Sequence, residues 1–175
     1  MRYAAFLRGV NVGRNHRVSS AELKSMFEEL GADDVATFRS SGNVVFEAPR
    51  DMARNIEQHL EKTLGYEVAI FLRTEKELKQ IAAHRPFPAK EVEASKGKLQ
   101  VSMLGKKPTA AVRKKALALA TDQDRLAFGE RELYWLPSGG TLDSKLDREA
   151  LDKLLGPTTM RTKGTVELLA EKYFG

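Results

Sequence analysis

The 175-residue chain is 42% hydrophobic and 30% charged, the balance of one folded domain or two small ones and not of a disordered chain. Lys and Arg total 29 against 24 Asp and Glu, a net charge of +5 that is dispersed along the chain and favours anionic partners only mildly. The absence of cysteine excludes disulfides, thiol nucleophiles and cysteine zinc sites, and the opening apolar run "YAAFL" is far too short for a signal-peptide core or a membrane span, so a cytoplasmic protein with no membrane partner is expected.

Tyr3–Leu7 is short and apolar, as suits a buried strand, and the glycine-rich stretch "LRGVNVGR" (Leu7–Arg14) follows it. Ser19 and Glu22 have the spacing of a capping box, with Val18 and Leu23 placed as its hydrophobic staple. Leu23, Met26, Phe27 and Leu30 recur at helical spacing before Gly31, which predicts a helix. "DVATFR" and "NVVFEA" flank a tight turn at Ser40–Asn43 and read as two strands. Beyond Pro49, Ala53, Ile56, Leu60 and Leu64 share one helix face ended by Gly65, and "YEVAIFLR" is a fourth strand. The order βαββαβ is that of the ferredoxin-like plait, so an α+β fold is expected for the N-terminal half.

Thr74 and Glu77 form a second capping box, opening a helix with Leu78 and Ile81 on its inner side, so the first subdomain spans residues 1–84. Residues 85–98 carry prolines, many charges and little periodicity, and read as a linker. The smaller α+β second half, residues 99–175, begins with a strand at Leu99–Leu104, a helix from about Pro108 to Ala120 and a hairpin centred near Gly129 and Glu130. Two helices complete it, one after Ser144 on Leu146, Ala150, Leu151 and Leu154, the other from about Thr165 to Tyr173, with Gly156 and Pro157 between them. This βαββα order echoes the first half without any sequence identity to support a duplication.

In a βαββαβ plait the loop leaving the first strand and the turn joining the second and third lie at one end of the sheet. That topology puts "RGVNVGR" beside "SSGN" and gathers Arg8, Gly9, Asn11, Gly13, Arg14, Ser41, Gly42 and Asn43 into one polar corner. Glycines allow positive φ and close backbone approach, so exposed N–H groups there suit an anion. A nearby helix N-terminus adds roughly 0.3–1 kcal/mol of attraction. The same residues also have a purely structural reading, in which Gly9 and Gly13 shape a loop while Asn11 and Asn43 bond local backbone.

The loop lacks both the Gly-Lys-Ser/Thr ending of a P-loop and the three-glycine spacing of a dinucleotide fingerprint, which argues against a standard nucleotide fold. "RSSGNVVF" (Arg39–Phe46) matches the third-strand octamer of an RNA-recognition motif at its basic, glycine and closing aromatic positions. Its two stacking positions are Ser41 and Asn43, so the base-reading surface of that motif is missing. The histidines, His16, His59 and His84, show no metal-ligand spacing, and no aspartate cluster suits calcium or magnesium, so neither a metal nor a cofactor is expected. Ser144 and Lys145 in "GTLDSKLD" could pair as nucleophile and base, although Ser144 with Asp147 three residues on also reads as a helix cap.

"LRGVNVGR" with "LKSMFEELG", then "TFRSSGNVVFEA", "RPF", "LDSKLD" and "TTMRTKGTVELL" give the chain a resemblance to the domain-of-unknown-function family 1697, mostly bacterial proteins. The resemblance implies an α+β fold in two subdomains with a plait-like first half, and it implies no established activity. Arg14 stands where that family has a second glycine, and Thr162 and Lys163 stand where its Thr-x-Arg-Asn-Trp-x-Thr segment has Asn and Trp, while Arg161 and Thr165 are kept.

The leading expectation is a protein that binds an anionic group (a nucleotide, a phosphorylated metabolite or a nucleic-acid backbone) at the loop–turn corner, with Lys145 and Arg161 contributed by the second half. One alternative is a small-molecule enzyme with its site between the halves, using Lys145 or His16 for proton transfer. The other is a protein-interaction module without a small ligand. The sequence assigns no catalytic residue and identifies no protein partner.

Overall fold

The apolar run at the start forms strand β1 (Arg2–Arg8), and Tyr3–Leu7 are all buried within it. The structure is a computed structural model that describes residues 1–10, 17–39 and 42–175. Helix α1 (Ser20–Glu29) is capped by Ser19, whose side chain accepts the Glu22 N–H, and strands β2 (Asp33–Thr37) and β3 (Asn43–Glu47) follow. Helix α2 (Ala53–Leu64) ends at Gly65, whose φ of 82° only glycine adopts without strain. Strand β4 (Ala69–Thr74) passes directly into α3 (Glu75–Ala83) through a complete capping box, Thr74 N–H bonding Glu77 Oε1 and Glu77 N–H bonding Thr74 Oγ1.

These strands form one sheet in the order β2-β3-β1-β4, with β1 antiparallel to both β3 and β4. Its core sets Tyr3, Ala5, Leu7, Val44 and Phe46 of the sheet against Leu23, Phe27, Ile56 and Leu60 of the two helices. Phe46 is the hub, its ring 5.6 Å from that of Tyr3 and 5.2 Å from that of Phe27. Burying each such side chain is worth about 1.5–3 kcal/mol, so aromatic burial here outweighs any single polar contact.

Beyond α3 lie α4 (Ala89–Ala94), β5 (Gln100–Leu104), α5 (Ala110–Leu117), β6 (Asp124–Phe128) and β7 (Glu132–Pro137). A single 3-10 turn at Thr141–Asp143 precedes α6 (Arg148–Leu155), β8 (Thr158–Thr162) and α7 (Lys163–Phe174). The second sheet has the order β6-β7-β5-β8, again antiparallel throughout. Its core packs Leu104, Leu133 and Trp135 against Ala116, Leu146 and Leu151.

Three features differ from the sequence reading. The stretch 85–98 contains α4, six residues started by Pro88, and is not continuous irregular chain. Between the two closing helices lies β8, which pairs with β5 from Leu104↔Thr158 to Gln100↔Thr162. Its sequence "TTMRT" has no apolar alternation, and the backbone ladder together with the β-branched threonines makes it a strand. Ser144 is not the cap of α6; Asp147 is, accepting the Ala150 N–H at 3.0 Å.

The chain divides into two compact units, Met1–Gln80 with Glu171–Gly175, and Ile81–Ala170. In the first, the C-terminal residues are tied to β1, as Arg2 donates to the Tyr173 carbonyl at 2.6 Å and its guanidinium lies 5.7 Å from the Phe174 ring. Among the described residues no helix is long and apolar enough to cross a membrane.

Candidate functional site

At the end of β1 the loop and the β2–β3 turn meet in the first unit. Leu7 N–H donates to the Gly42 carbonyl at 2.8 Å. Gly42 has φ of 79°, and a Cβ there would stand 2.7 Å from Val10 Cγ2 and 3.1 Å from Leu7 Cβ. Gly9 has φ of 100°, and a Cβ on it would come to 3.0 Å from the Glu67 carbonyl oxygen. Both glycines are therefore required by close backbone approach as well as by conformation. Arg8 is exposed where β1 ends.

Asn43 is wholly buried. Its side-chain amide donates to the Phe38 carbonyl at 2.9 Å while Phe38 N–H donates to the Asn43 carbonyl at 2.9 Å, so the side chain closes the turn. Asn11, Gly13, Arg14 and Ser41, with His16 and Ser40, lie outside the described residues.

Lys145 and Arg161 belong to the second unit. Arg161 donates from Nη1 to Thr159 Oγ1 at 2.7 Å and to the Met160 carbonyl at 2.8 Å. Burial pushes its pKa down to about 10, which leaves the guanidinium charged at neutral pH. Lys145 is exposed and makes no hydrogen bond or ion pair among the described residues. It stands at a cavity of about 440 Å³ lined also by Thr121, Asp124, Gly140 and Ser144.

Beneath that cavity lies a polar node centred on Asp124, which is 2% exposed. Its Oδ1 accepts from Ser144 Oγ at 2.6 Å and from Trp135 Nε1 at 2.9 Å, and its Oδ2 from Thr121 Oγ1 at 2.7 Å. Burial pushes the carboxyl pKa up, but the three side-chain donors together outweigh it and hold the group below the ordinary aspartate value. The Ser144 hydroxyl proton is thus directed to Asp124, and its oxygen accepts the Leu146 N–H at 3.0 Å. A Ser144–Lys145 nucleophile pair has no geometry here, and the serine ties the loop to the strand instead.

The sequence reading passes over Asp124, which sits in a polar stretch, "TDQD", that resembles any solvated turn. It also passes over Lys163, 2% exposed at the start of α7, and Arg73, 1% exposed on β4 with Nη1 donating to the Leu72 carbonyl. Only the indole of Trp135 on the adjacent strand β7 gives a hint of the first, because a buried Trp N–H calls for an acceptor. Of the histidines described, His59 pairs with Glu29 at 2.8 Å and the His84 ring lies 4.8 Å from that of Tyr134. No group of three metal-ligating side chains occurs among the described residues.

A family of proteins of unknown function (DUF1697) matches residues 1–134. The structure of a conserved bacterial protein from Streptococcus pneumoniae superposes with a TM-score of 0.72 at 20% identity, over 99% of this chain and 98% of that one, a likeness of fold. No curated protein matches the chain. With more than half of its length matched, from the start of the chain into strand β7, the chain belongs to the DUF1697 family of proteins of unknown function.

Proposed function

We propose that this protein binds an anionic ligand, a nucleotide, a phosphorylated metabolite or a nucleic-acid backbone, at the corner where the β1 loop meets the β2–β3 turn. The observation that carries this reading is the contact of the two motifs: Leu7 N–H on the Gly42 carbonyl, with Gly42 pressed against Val10. Gly9 and Gly42 both adopt the left-handed conformation, Gly9 half-buried and Gly42 buried, and the exposed arginine Arg8 adds positive charge beside them. Asn11, Arg14 and Ser41 extend the donor set in sequence. Asn43 serves the site by fixing the turn and not as a ligand donor, because its amide is committed to Phe38. The sheet order β2-β3-β1-β4 supports reading this half as a ferredoxin-like plait, in which loop and turn share one end.

Thermal denaturation with inorganic phosphate, mononucleotides and a short single-stranded RNA tests this reading. A ligand present at a hundred times its Kd stabilises the native state by about 2.7 kcal/mol, a rise of several degrees in Tm. Arg8→Ala is expected to remove at least tenfold of the affinity. If no anion raises the Tm, or if Arg8→Ala keeps the full shift, the reading fails.

A further inference from the structure

Lys163 is the one buried lysine among the described residues, and its position is doubly unfavourable. It opens α7, where the helix dipole repels a cation, and burial strips its ammonium of water. Burial accordingly pushes its pKa down, with Glu167 working against that shift. Two acceptors offset the cost: the Ala82 carbonyl at 2.9 Å and Glu167 Oε1 at 3.4 Å. An ammonium carries three N–H bonds, so one is left without an acceptor among the described residues.

That amine lines a cavity of about 460 Å³ in the second unit. Phe87 and Leu99, both buried, and the half-buried Val92 give it apolar walls. Phe87 is itself held in place, since the Arg125 guanidinium lies 5.1 Å from its ring and pairs with Glu91. Arg85 stands at the exposed side, 3.9 Å from Glu167. Two cations thus share the one carboxylate of Glu167, which leaves a single surplus positive charge at the inner end; Glu93 lies on the exposed rim.

We propose that this cavity binds a small monocarboxylate with an apolar body, its carboxylate on Lys163 and Arg85 and its body against Phe87, Val92 and Leu99. A carboxylate supplies the acceptor that the third N–H lacks and neutralises the surplus charge, with no existing bond broken. A neutral alcohol supplies the acceptor without the charge. Inorganic phosphate brings more charge and more oxygens than the donors present can satisfy, and its surface gains nothing from apolar walls. This site is built from residues of the second unit alone and does not depend on the reading given for the loop–turn corner.

Calorimetric titration of the full chain with hexanoate and phenylacetate, set against hexanol, 2-phenylethanol and inorganic phosphate, tests the assignment. The acids are expected to bind at least tenfold more tightly than the matched alcohols, with phosphate failing to displace them. Lys163→Met preserves length and apolar packing and is expected to cost at least tenfold in acid affinity, provided that its circular dichroism and Tm show a folded chain. Arg85→Ala, at an exposed position that folding tolerates, is expected to weaken the acids severalfold, and Arg8→Ala to leave them unchanged. Equal binding of acids and alcohols, displacement by phosphate, no binding of any probe, or unchanged acid affinity in Arg85→Ala with a folded Lys163→Met would each overturn it.

Discussion

Sheet orders β2-β3-β1-β4 and β6-β7-β5-β8 trace the same path twice, each half running strand, helix, two strands, helix, strand, helix. The punctuation repeats as well. Ser19 caps α1 and Thr109 caps α5; Gly65 ends α2 and Gly156 ends α6, with φ of 82° and 77°. The last strand passes into its helix through Thr74 Oγ1 accepting the Glu77 N–H in one half, and through Thr162 Oγ1 accepting the Thr165 N–H in the other. What differs is the filling. Among the described residues, only Asn43 and Arg73 are buried polar groups in the first unit, whereas the second buries eight, from Ser95 to Thr165. One path of the chain therefore accommodates an apolar interior and a polar one, provided that every buried donor finds an acceptor. Asp124 and Lys163, the charged groups of the polar interior that border cavities, are where that provision comes under most demand.

Breaking the apolar interior has the largest expected effect. Phe46→Ala removes the ring on which Tyr3 and Phe27 pack and is expected to cost about 3–5 kcal/mol, read as a lowered urea midpoint. In the polar interior the matching cut is Asp124→Ala, which strands the Trp135, Ser144 and Thr121 donors at an expected cost of about 3 kcal/mol. A loss below about 1 kcal/mol would show that the node is solvated and that the contrast between the two interiors is overstated. The node also has a pH signature. Because the folded-state pKa of Asp124 lies below its ordinary 3.8, the stabilisation it provides is present above that value and is lost as pH falls through the folded pKa. Wild-type Tm is therefore expected to fall more steeply than that of Asp124→Asn below about pH 4, and parallel curves would contradict the assignment.

Glycine positions separate conformation from packing. Gly65 and Gly42 share left-handed φ, but a Cβ at Gly65 meets open space while one at Gly42 meets Val10 and Leu7. Gly65→Ala is expected to cost about 1 kcal/mol by strain alone and Gly42→Ala about 2 kcal/mol or more, compared by chemical denaturation. Equal losses at the two would mean that the loop yields and that the corner is less firmly joined than its geometry indicates.

Much of this architecture was legible because its signals are local. Capping residues, helical periodicity and terminal glycines mark α1, α2 and α3 in the sequence, and the buried run Tyr3–Leu7 marks β1. Strand β8 escaped because "TTMRT" shows neither alternation nor an apolar face; only pairing with β5 defines it. The site residues were harder for the same reason. A lysine in "RTKG" or an aspartate in "TDQD" reads as surface, and burial is decided by chain segments far away: Leu99 and Ala82 for Lys163, Trp135 and Ser144 for Asp124. Asn43 was legible as a special position beside a glycine, but its task depends on which carbonyl lies opposite, and that is the Phe38 carbonyl.

The smallest expected effects concern the repeated punctuation. Ser19 Oγ accepts the Glu22 N–H at 3.1 Å and Thr109 Oγ1 accepts the Val112 N–H at 3.2 Å, both at exposed helix starts. Each cap satisfies one N–H that the helix leaves open, so Ser19→Ala and Thr109→Ala are each expected to cost about 1 kcal/mol. The second pair of equivalent helices is not symmetric, because Asp147 caps α6 whereas Met52 at the start of α2 makes no side-chain cap. There Asp51 substitutes, its Oδ1 accepting the Ala53 N–H at 2.9 Å from one position earlier. Asp147→Ala and Asp51→Ala are therefore expected to lose similar amounts, about 0.5–1 kcal/mol, and Met52→Ala little by way of capping. If Asp51→Ala proves neutral in thermal melts, the start of α2 is held by packing alone, and the halves share a path without sharing the means of starting its helices.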